Sequence, residues 1–372
     1  MPMDSTTPPM ATATERLILQ AGDYLRQGRI IGLPTETVYA LAALLSAPAA
    51  IAQLKTLKQI SGPPNWVIHV ADTAGVKRIV ADLPAIAQRL MKKLWPGPLA
   101  IELPAGPADA QRLVGLVGAQ TAAECISNGF MTFRCPQNLS TLAVLAAVGD
   151  PVAMIGAGHA RAIHEAADIP ENIRSALPLV VDTGPTRYRK SSTLVRVQAD
   201  QLTFLREGML AKRIIERMTD QVVLFLCSGN TCRSPMAAGI AAVRMAKKLG
   251  TQPADLPLRH IVVESAGLYA GPGAPATPDA VKAAGIFSAD ISRHRSRSVT
   301  VDMLRRADLI YTMTSGHRAD VLAMLPDAGA KTFTLDPDAD IVDPIGAGYD
   351  QYLAVARRMD ELIKTRLAEI LP

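Results

Sequence analysis

The chain is predicted to be an α/β protein of two domains, the second a doubly wound parallel sheet carrying a phosphate-binding loop. Three observations lead there. Its 372 residues exceed what a single hydrophobic core usually organises. From residue 222 onward, short apolar runs alternate with helical patterns, the order that builds a parallel sheet covered on both faces. One of those runs, VVLFLC, passes directly into SGNTCRSP and then a helical stretch. At such a strand-to-helix junction, free backbone N–H groups and the helix dipole favour an anion.

The elements follow in order. A helix is expected over 15–27, with Leu17, Ile18, Ala21 and Leu25 on one face and Gly28 closing it. A strand over 29–33 leads into PTETVYALAA. Further on come WVIHV (66–70), LWPGPLAIELP (94–104), FRCP (133–136), VVDTG (180–184), SSTLVRV (191–197) and LREG (205–208). The charged, helical REGMLAKRIIERMTDQ marks the boundary, giving a first domain over 13–210, a linker over 211–220 and a second domain over 221–372. In the second, strands over 222–226, 261–263 and 309–313 alternate with helices over 235–248, 278–284 and from about 349.

Composition bounds the rest. Hydrophobic residues at 49% with 20% charged residues are those of a soluble globular chain, and with 4% aromatics the core must be aliphatic. The net charge of +5 permits phosphate-bearing partners without requiring them. Four cysteines without a paired framework point to a reducing cytoplasm. Cys125 and Cys135 lack metal-ligand spacing and read as core or surface thiols, so no metal site is expected. MPMDSTTPPMATATE lacks a charged start followed by an apolar stretch, so no signal peptide is expected and residues 1–12 read as a disordered tail. The Ala-rich stretch 38–54 is interrupted by Ser46, Pro48 and Gln53, which excludes a membrane span.

The chemistry concentrates at Cys227 and Arg233, six positions apart. The loop's N–H groups and helix dipole favour the thiolate of a cysteine at its start. Arg233 can close on two oxygens of a phosphoryl group, which lysine cannot do in the same geometry. Together they predict hydrolysis of a phosphate monoester or phosphoramidate through a phosphocysteine. A lone cysteine ending a strand would otherwise read as core packing. Here nine successive residues, 227–235, fit one mechanism.

With SAG at 265–267, ATPDAV at 276–281, DLIYTMTSGH at 308–317 and DPIG at 343–346 in order, this half resembles the low-molecular-weight protein-tyrosine-phosphatase family. The resemblance implies a phosphorylated protein as substrate and no cofactor. It makes Cys227 the nucleophile, Arg233 the phosphoryl ligand and Asp343 the acid that protonates the leaving group. Asn230 and Ser234 hold the loop and stabilise the thiolate, and Ser228, Gly229, Thr231 and Cys232 complete it. Asp336-Pro337 competes with Asp343-Pro344; Asp343 is preferred because a Gly-rich turn leads from it into the last helix, and Asp336 reads as a turn residue. The half is most similar to the bacterial protein-arginine-phosphatase branch. Thr231 stands where tyrosine-directed members carry a larger aliphatic residue, and Ile345 where they place an aromatic. A threonine hydroxyl can bond a leaving guanidinium; phosphotyrosine remains the alternative. Arsenate reductases of the family need further cysteines, and none follows Cys232. Cys232 reads either as a reversible disulfide partner of Cys227 or as loop packing.

The first half's ordered fragments resemble the YrdC-like domain of the threonylcarbamoyl-adenylate synthase family. That resemblance implies a twisted open α/β sheet and a cleft for ATP (with Mg), threonine and bicarbonate. Carried over by position, Thr35, Lys58, His69, Arg134, Ser192, Thr193 and Arg206 contribute to it. Three departures stand out. The family's Lys-x-Arg is Lys58-Gln59-Ile60, its Ser-Ala-Asn is Gly156-Ala157-Gly158, and Asn65-Trp66 replaces a Pro-Leu. Each lost polar ligand in a buried site costs on the order of 1–3 kcal/mol, so the expectation is a retained fold with weakened or lost synthase activity. The alternatives are a bifunctional enzyme that also makes threonylcarbamoyl-adenylate for tRNA modification, and a module binding nucleotide or double-stranded RNA beside the phosphatase.

Overall fold

A computed structural model describes residues 13–371 apart from Ala160 and Asp200; the tail expected over 1–12 lies outside them. The chain divides into two compact units between Thr219 and Asp220. Among the described residues no helix is long and apolar enough to cross a membrane.

The first unit is built on one mixed sheet of β1 (Ile31–Pro34), β2 (Tyr39–Leu44), β3 (Val67–His69), β4 (Leu99–Pro104), β5 (Ile126–Ser127), β6 (Phe130–Arg134), β7 (Val152–Gly156), β8 (Thr193–Gln198) and β9 (Gln201–Arg206). The order is β1-β2-β7-β3-β6-β4-β8-β9, with β5 paired to β6. β3 runs parallel to β6 and β4 to β8; the other pairs are antiparallel. Side chains alternate between two cores, as strand geometry requires. Tyr39, Leu41 and Ala43 face one with Trp66, Ile68 and Phe133. Ala40, Ala42 and Leu44 face the other with Ala21 and Leu25 of the helix Ala13–Arg26. Both faces of β2 are therefore buried, which is why 38–54 reads as one apolar run although it holds a strand and the helix Pro48–Leu57.

Trp66 fills the core and its indole N–H donates to Glu124 Oε2 at 3.1 Å. The segment expected to be a linker, 211–220, is instead largely the helix Lys212–Met218, and its Ile215 is buried in the first unit's core. Burying that one apolar side chain ties the charged stretch to the first unit.

The second unit carries β10 (Gln221–Cys227), β11 (Ile261–Gly267), β12 (Leu309–Thr312) and β13 (Thr332–Thr334), all parallel in the order β11-β10-β12-β13. Along β10, Val223, Phe225 and Cys227 face one layer, made by the helices Arg233–Lys248, Pro278–Gly285 and Tyr349–Ile370. Val222, Leu224 and Leu226 face the other, with Leu304 and Val321. In the first of these layers Asp360 of the last helix clamps the helix Arg233–Lys248: it accepts from Arg244 Nη2 at 2.7 Å and sits 2.9 Å from Lys364 Nζ. Burial alone would raise its carboxyl, but these cations hold it below the usual carboxylate range.

Two boundaries differ from expectation, and both matter for the site. The helix after β10 begins at Arg233, so Arg233 and Ser234 lie in its first turn. β11 runs on to Gly267, because the SAG residues stay paired with the end of β10. The chain leaves β10 toward β11 on one side and reaches β12 and β13 on the other. The crevice between the carboxyl ends of β10 and β12 is thus the topological switch point, where open α/β sheets place ligands.

Candidate active site

Cys227 ends β10 with its sulfur buried. Asn230, three residues on, has φ of 55°. Asparagine tolerates this left-handed conformation, and it turns the Asn230 N–H toward Cys227 Sγ at 3.3 Å. The conformation is fixed on every side. Asn230 Nδ2 donates to Ser234 Oγ and Ser265 Oγ, both at 2.9 Å, while its Oδ1 accepts from Arg297 N at 3.0 Å and its carbonyl from His294 Nε2 at 2.7 Å. Ser234 Oγ lies 3.0 Å from Cys227 Sγ and 3.3 Å from Ala266 O. Since it already accepts from Asn230, its own hydrogen is shared between Ala266 O and the nearer sulfur. Gly267 must be glycine: a Cβ there would lie 2.6 Å from Ser228 O and 3.0 Å from Asn230 N.

Arg233 is buried. One edge of its guanidinium donates to Ile341 O at 3.0 Å, and its Nη2 meets the carboxylate of Asp343 and, at 3.5 Å, Ser228 Oγ. The Asp343 side chain is 43% exposed, so its carboxylate stands at the site's mouth. Asp336 is placed differently. It accepts from Arg358 Nε at 2.9 Å and Nη2 at 2.7 Å, and caps Asp338 N at 3.1 Å. The two Asp-Pro pairs thus separate into one beside the arginine and one in an ion-paired turn.

Three neighbours of the loop went unassigned in the sequence. His317 enters from the helix Ser315–Met324 that follows β12, is only 7% exposed, and sets Nε2 2.9 Å from Ser228 Oγ. Burial, and then the charge of Arg233, lower its pKa, so the imidazole is neutral near pH 7. His294 is lowered chiefly by burial and holds the Asn230 carbonyl. Tyr269 donates its N–H to Ser228 O at 2.9 Å; its ring is 71% exposed and its hydroxyl reaches Asp320 Oδ2 at 2.7 Å. The advance signal for His317 was its place just beyond a parallel strand at the switch point.

Thr231 is half-buried with its hydroxyl 3.6 Å from Cys232 Sγ, and Ile345 is 65% exposed. The Cys232 thiol also sits 3.3 Å from Tyr352 Oη and 3.5 Å from Thr277 Oγ1, contacts that face the last helix. All four cysteines are free. Burial pushes the thiols of Cys125 and Cys135 up to about 12.

In the first unit, Thr35, His69, Arg134, Ser192 and Arg206 line one cavity of about 500 Å³. The structure does not bring Thr193 or Lys58 into its lining. Thr193 lies between Ser192 and Leu194 and, by strand alternation, turns to the other face, where it exchanges hydrogen bonds with Leu210 O at 2.8 Å and Leu210 N at 3.0 Å. The Lys58 ammonium donates to Gly156 O at 2.8 Å and to Gly158 O, and burial lowers its pKa. A Cβ on Gly158 would fall 2.1 Å from Arg161 O, so position 158 is closed to any residue with a side chain.

Arg134 Nη2 donates to Glu36 Oε1 at 2.8 Å and Thr37 Oγ1 at 2.9 Å, while its Nε is buried without a partner. Arg206 donates to Ser192 O at 3.2 Å and Ser192 Oγ at 3.3 Å, and among the described residues no carboxylate pairs with it. His69 is fully enclosed; burial first, and Arg134 second, push it down to about 3.

Comparison with known families follows the same division. Residues 23–208 match the Sua5/YciO/YrdC family, described as "Telomere recombination", and residues 222–371 match the low molecular weight phosphotyrosine protein phosphatase family. The chain belongs to both. The protein-arginine-phosphatase of Geobacillus stearothermophilus is 36% identical over 155 residues, 40% of this chain and 93% of that protein. A probable low molecular weight protein-tyrosine-phosphatase, EpsP, of Ralstonia solanacearum is 36% identical over 126 residues, 33% of this chain and 78% of that protein. The threonylcarbamoyl-AMP synthase of Bacillus subtilis (strain 168) is 30% identical over 205 residues, 54% of this chain and 55% of that protein. The chain therefore spans about half the length of that synthase.

The second unit is thus a phosphatase domain, and the chain an enzyme. Of the loop residues predicted from one contiguous stretch, Asn230 and Ser234 lie against the Cys227 sulfur, while Cys232 faces the last helix. In the YrdC-type domain, five of seven residues carried over by position share a cavity. Glu36, which holds Arg134 from outside the cavity lining, went unassigned, although it sits inside PTETVY.

Proposed function

We propose that the chain is a cysteine-dependent protein phosphatase directed at phosphoarginine, joined to a YrdC-type domain that has lost its synthase chemistry. The observation that carries the first part is Cys227 Sγ held 3.0 Å from Ser234 Oγ and 3.3 Å from Asn230 N, beside a buried Arg233. An incoming phosphoryl group takes the guanidinium edge that Asp343 occupies, which frees that carboxyl for the leaving group. The Cys227 thiolate attacks phosphorus while the P–N or P–O bond breaks, and Asp343 in its acid form gives its proton to the departing nitrogen or oxygen. Water then attacks the phosphocysteine and loses a proton to the Asp343 carboxylate. The sulfur departs as thiolate, stabilised by the donors from Asn230 and Ser234.

Phosphoarginine is favoured by the Thr231 hydroxyl and by an aliphatic Ile345 where an aromatic would wall a phenol ring. The exposed ring of Tyr269 beside Ser228 favours the second reading, phosphotyrosine. Turnover of phosphoarginine, phosphotyrosine and phosphoserine peptides by the purified chain separates them. Phosphoarginine should be fastest, and Thr231→Ile should flatten or reverse the preference by on the order of tenfold to a thousandfold. A phosphotyrosine preference indifferent to Thr231→Ile returns the domain to the tyrosine-directed class.

Loss of synthase chemistry is supported by the capture of Lys58 by Gly156 O and Gly158 O. A nucleotide such as ATP remains the candidate ligand, because Arg206 and the orphaned Nε of Arg134 suit phosphate oxygens. Among the described residues no three His, Cys, Asp or Glu are grouped for a metal, so Mg would arrive on the nucleotide's phosphates. RNA is the alternative occupant, and four free cysteines suit a reducing cytoplasm.

A further inference from the structure

Ser228, the residue after the nucleophile, carries a hydroxyl that meets two side chains. Arg233 Nη2 donates to it at 3.5 Å, and His317 Nε2 lies 2.9 Å away. The Ser228 backbone is already held, since its carbonyl accepts from Tyr269 N at 2.9 Å. His317 is fixed in turn: Thr314 Oγ1 accepts from its N–H at 3.1 Å, and Ser315 N donates to Asp340 Oδ1 at 2.7 Å. The imidazole is buried, and its Nδ1 has no partner among the described residues. An unsatisfied polar atom in the interior is a cost that an apolar side chain would avoid. The polar atom that this ring uses is Nε2, on the phosphatase loop.

While Asp343 occupies Arg233 Nη2, the same nitrogen reaches Ser228 only at long range. Once a phosphoryl group displaces Asp343, Ser228 Oγ is the remaining side-chain partner of Nη2 among the described residues, and Ile341 O holds Nη1. We propose that His317 is a positioning residue for phosphoryl binding: by fixing the Ser228 hydroxyl, it keeps the Arg233 fork aimed at the phosphoryl oxygens after Asp343 turns to the leaving group. The proposal rests on reading the second unit as a phosphatase. A hydroxyl can serve both neighbours. It accepts from Arg233 with one lone pair, while its hydrogen or its other lone pair meets the neutral imidazole. Aim matters because a bidentate contact needs two N–H groups at fixed angles.

The test uses the full chain and reads binding of inorganic phosphate without turnover, as protection of Cys227 from alkylation by iodoacetate, followed by peptide mass spectrometry. His317→Leu should weaken phosphate about tenfold, the worth of one charge-assisted contact, while Tm stays the same or rises because the unpaired nitrogen is gone. Ser228→Ala should weaken phosphate to a similar extent, and the double variant no further, since both changes remove one linkage. His317→Gln, whose amide reaches where Nε2 does, should stay within about twofold of wild type. In His317→Leu, kcat/KM for a small aryl phosphate should fall by the same factor, mostly through KM, because the phosphoryl oxygens use that edge before the reaction as well as during it. A lower Tm with unchanged phosphate binding would make His317 a packing residue and overturn the proposal. Losses that add in the double variant, or His317→Gln as weak as His317→Leu, would overturn it too. Wild type that shows the predicted pattern with phosphate but cleaves no aryl phosphate would count against the phosphatase reading and leave the positioning role standing.

Discussion

At the phosphatase loop, Arg233 is anchored along one edge by Ile341 O while its Nη2 meets the exposed carboxylate of Asp343. In the YrdC-type domain, Lys58 lies outside the cavity lining and is instead bound by the carbonyls of Gly156 and Gly158. Both cations are satisfied, with opposite consequences. A phosphoryl group can displace a carboxylate at the mouth of a site and gain a bidentate, charge-assisted contact. A lysine gripped by backbone carbonyls has no such exchange open to it unless the segment itself moves. The comparison teaches that identity of a residue type at a family position says little until its present partner is known.

Breaking the first arrangement should have the largest effect. Cys227→Ser should lower phosphatase turnover by on the order of a thousandfold or more with an unchanged fold, measured by phosphate release and thermal unfolding. Arg233→Lys should lose about a hundredfold, because a point charge cannot form the fork. Asp343→Asn should slow substrates with poor leaving groups by about a hundredfold and activated aryl phosphates far less. Asp336→Asn should leave that leaving-group dependence unchanged and lower Tm, since Arg358 loses its partner. The reverse pattern would exchange the roles of the two aspartates.

A smaller effect sharpens the picture of the YrdC-type cleft. His69 stays neutral in the fold down to about pH 3, whereas the unfolded chain takes up a proton near 6.5. Protons therefore favour the unfolded state between these values, and the first unit should lose about 2 kcal/mol on going from pH 7 to pH 5. Both tryptophans, Trp66 and Trp95, lie in that unit, so urea unfolding followed by tryptophan fluorescence reports on it alone. His69→Gln should remove most of this pH dependence; an unchanged dependence would place its source elsewhere.

How much could be read in advance follows from how each site is assembled. Residues 227–235 were legible because one turn between a strand and a helix holds them all, so their order is nearly their geometry. Asp343 was singled out from the turn after it, and the structure sets it against Arg233. His317, His294 and Tyr269 were not, because the parallel order β11-β10-β12 brings them to the loop from three separate segments. In the cleft, the loss of side chains at Gly156 and Gly158 was plain in the sequence. That their carbonyls take Lys58, about a hundred residues earlier, depends on a backbone path no spacing rule encodes. The segment 211–220 was misjudged for a similar reason: its charge suggested a linker, while a single buried Ile215 decides where it packs.

The contrast between the two sites is tested most directly by assaying one preparation of the full chain for two products. One arm is phosphate from a phosphoarginine or phosphotyrosine peptide, and the other is pyrophosphate from ATP, threonine and bicarbonate. The expected result is steady phosphate release with pyrophosphate no higher than in the protein-free blank. Steady pyrophosphate production dependent on threonine and bicarbonate, or no phosphate release from either peptide, would contradict it.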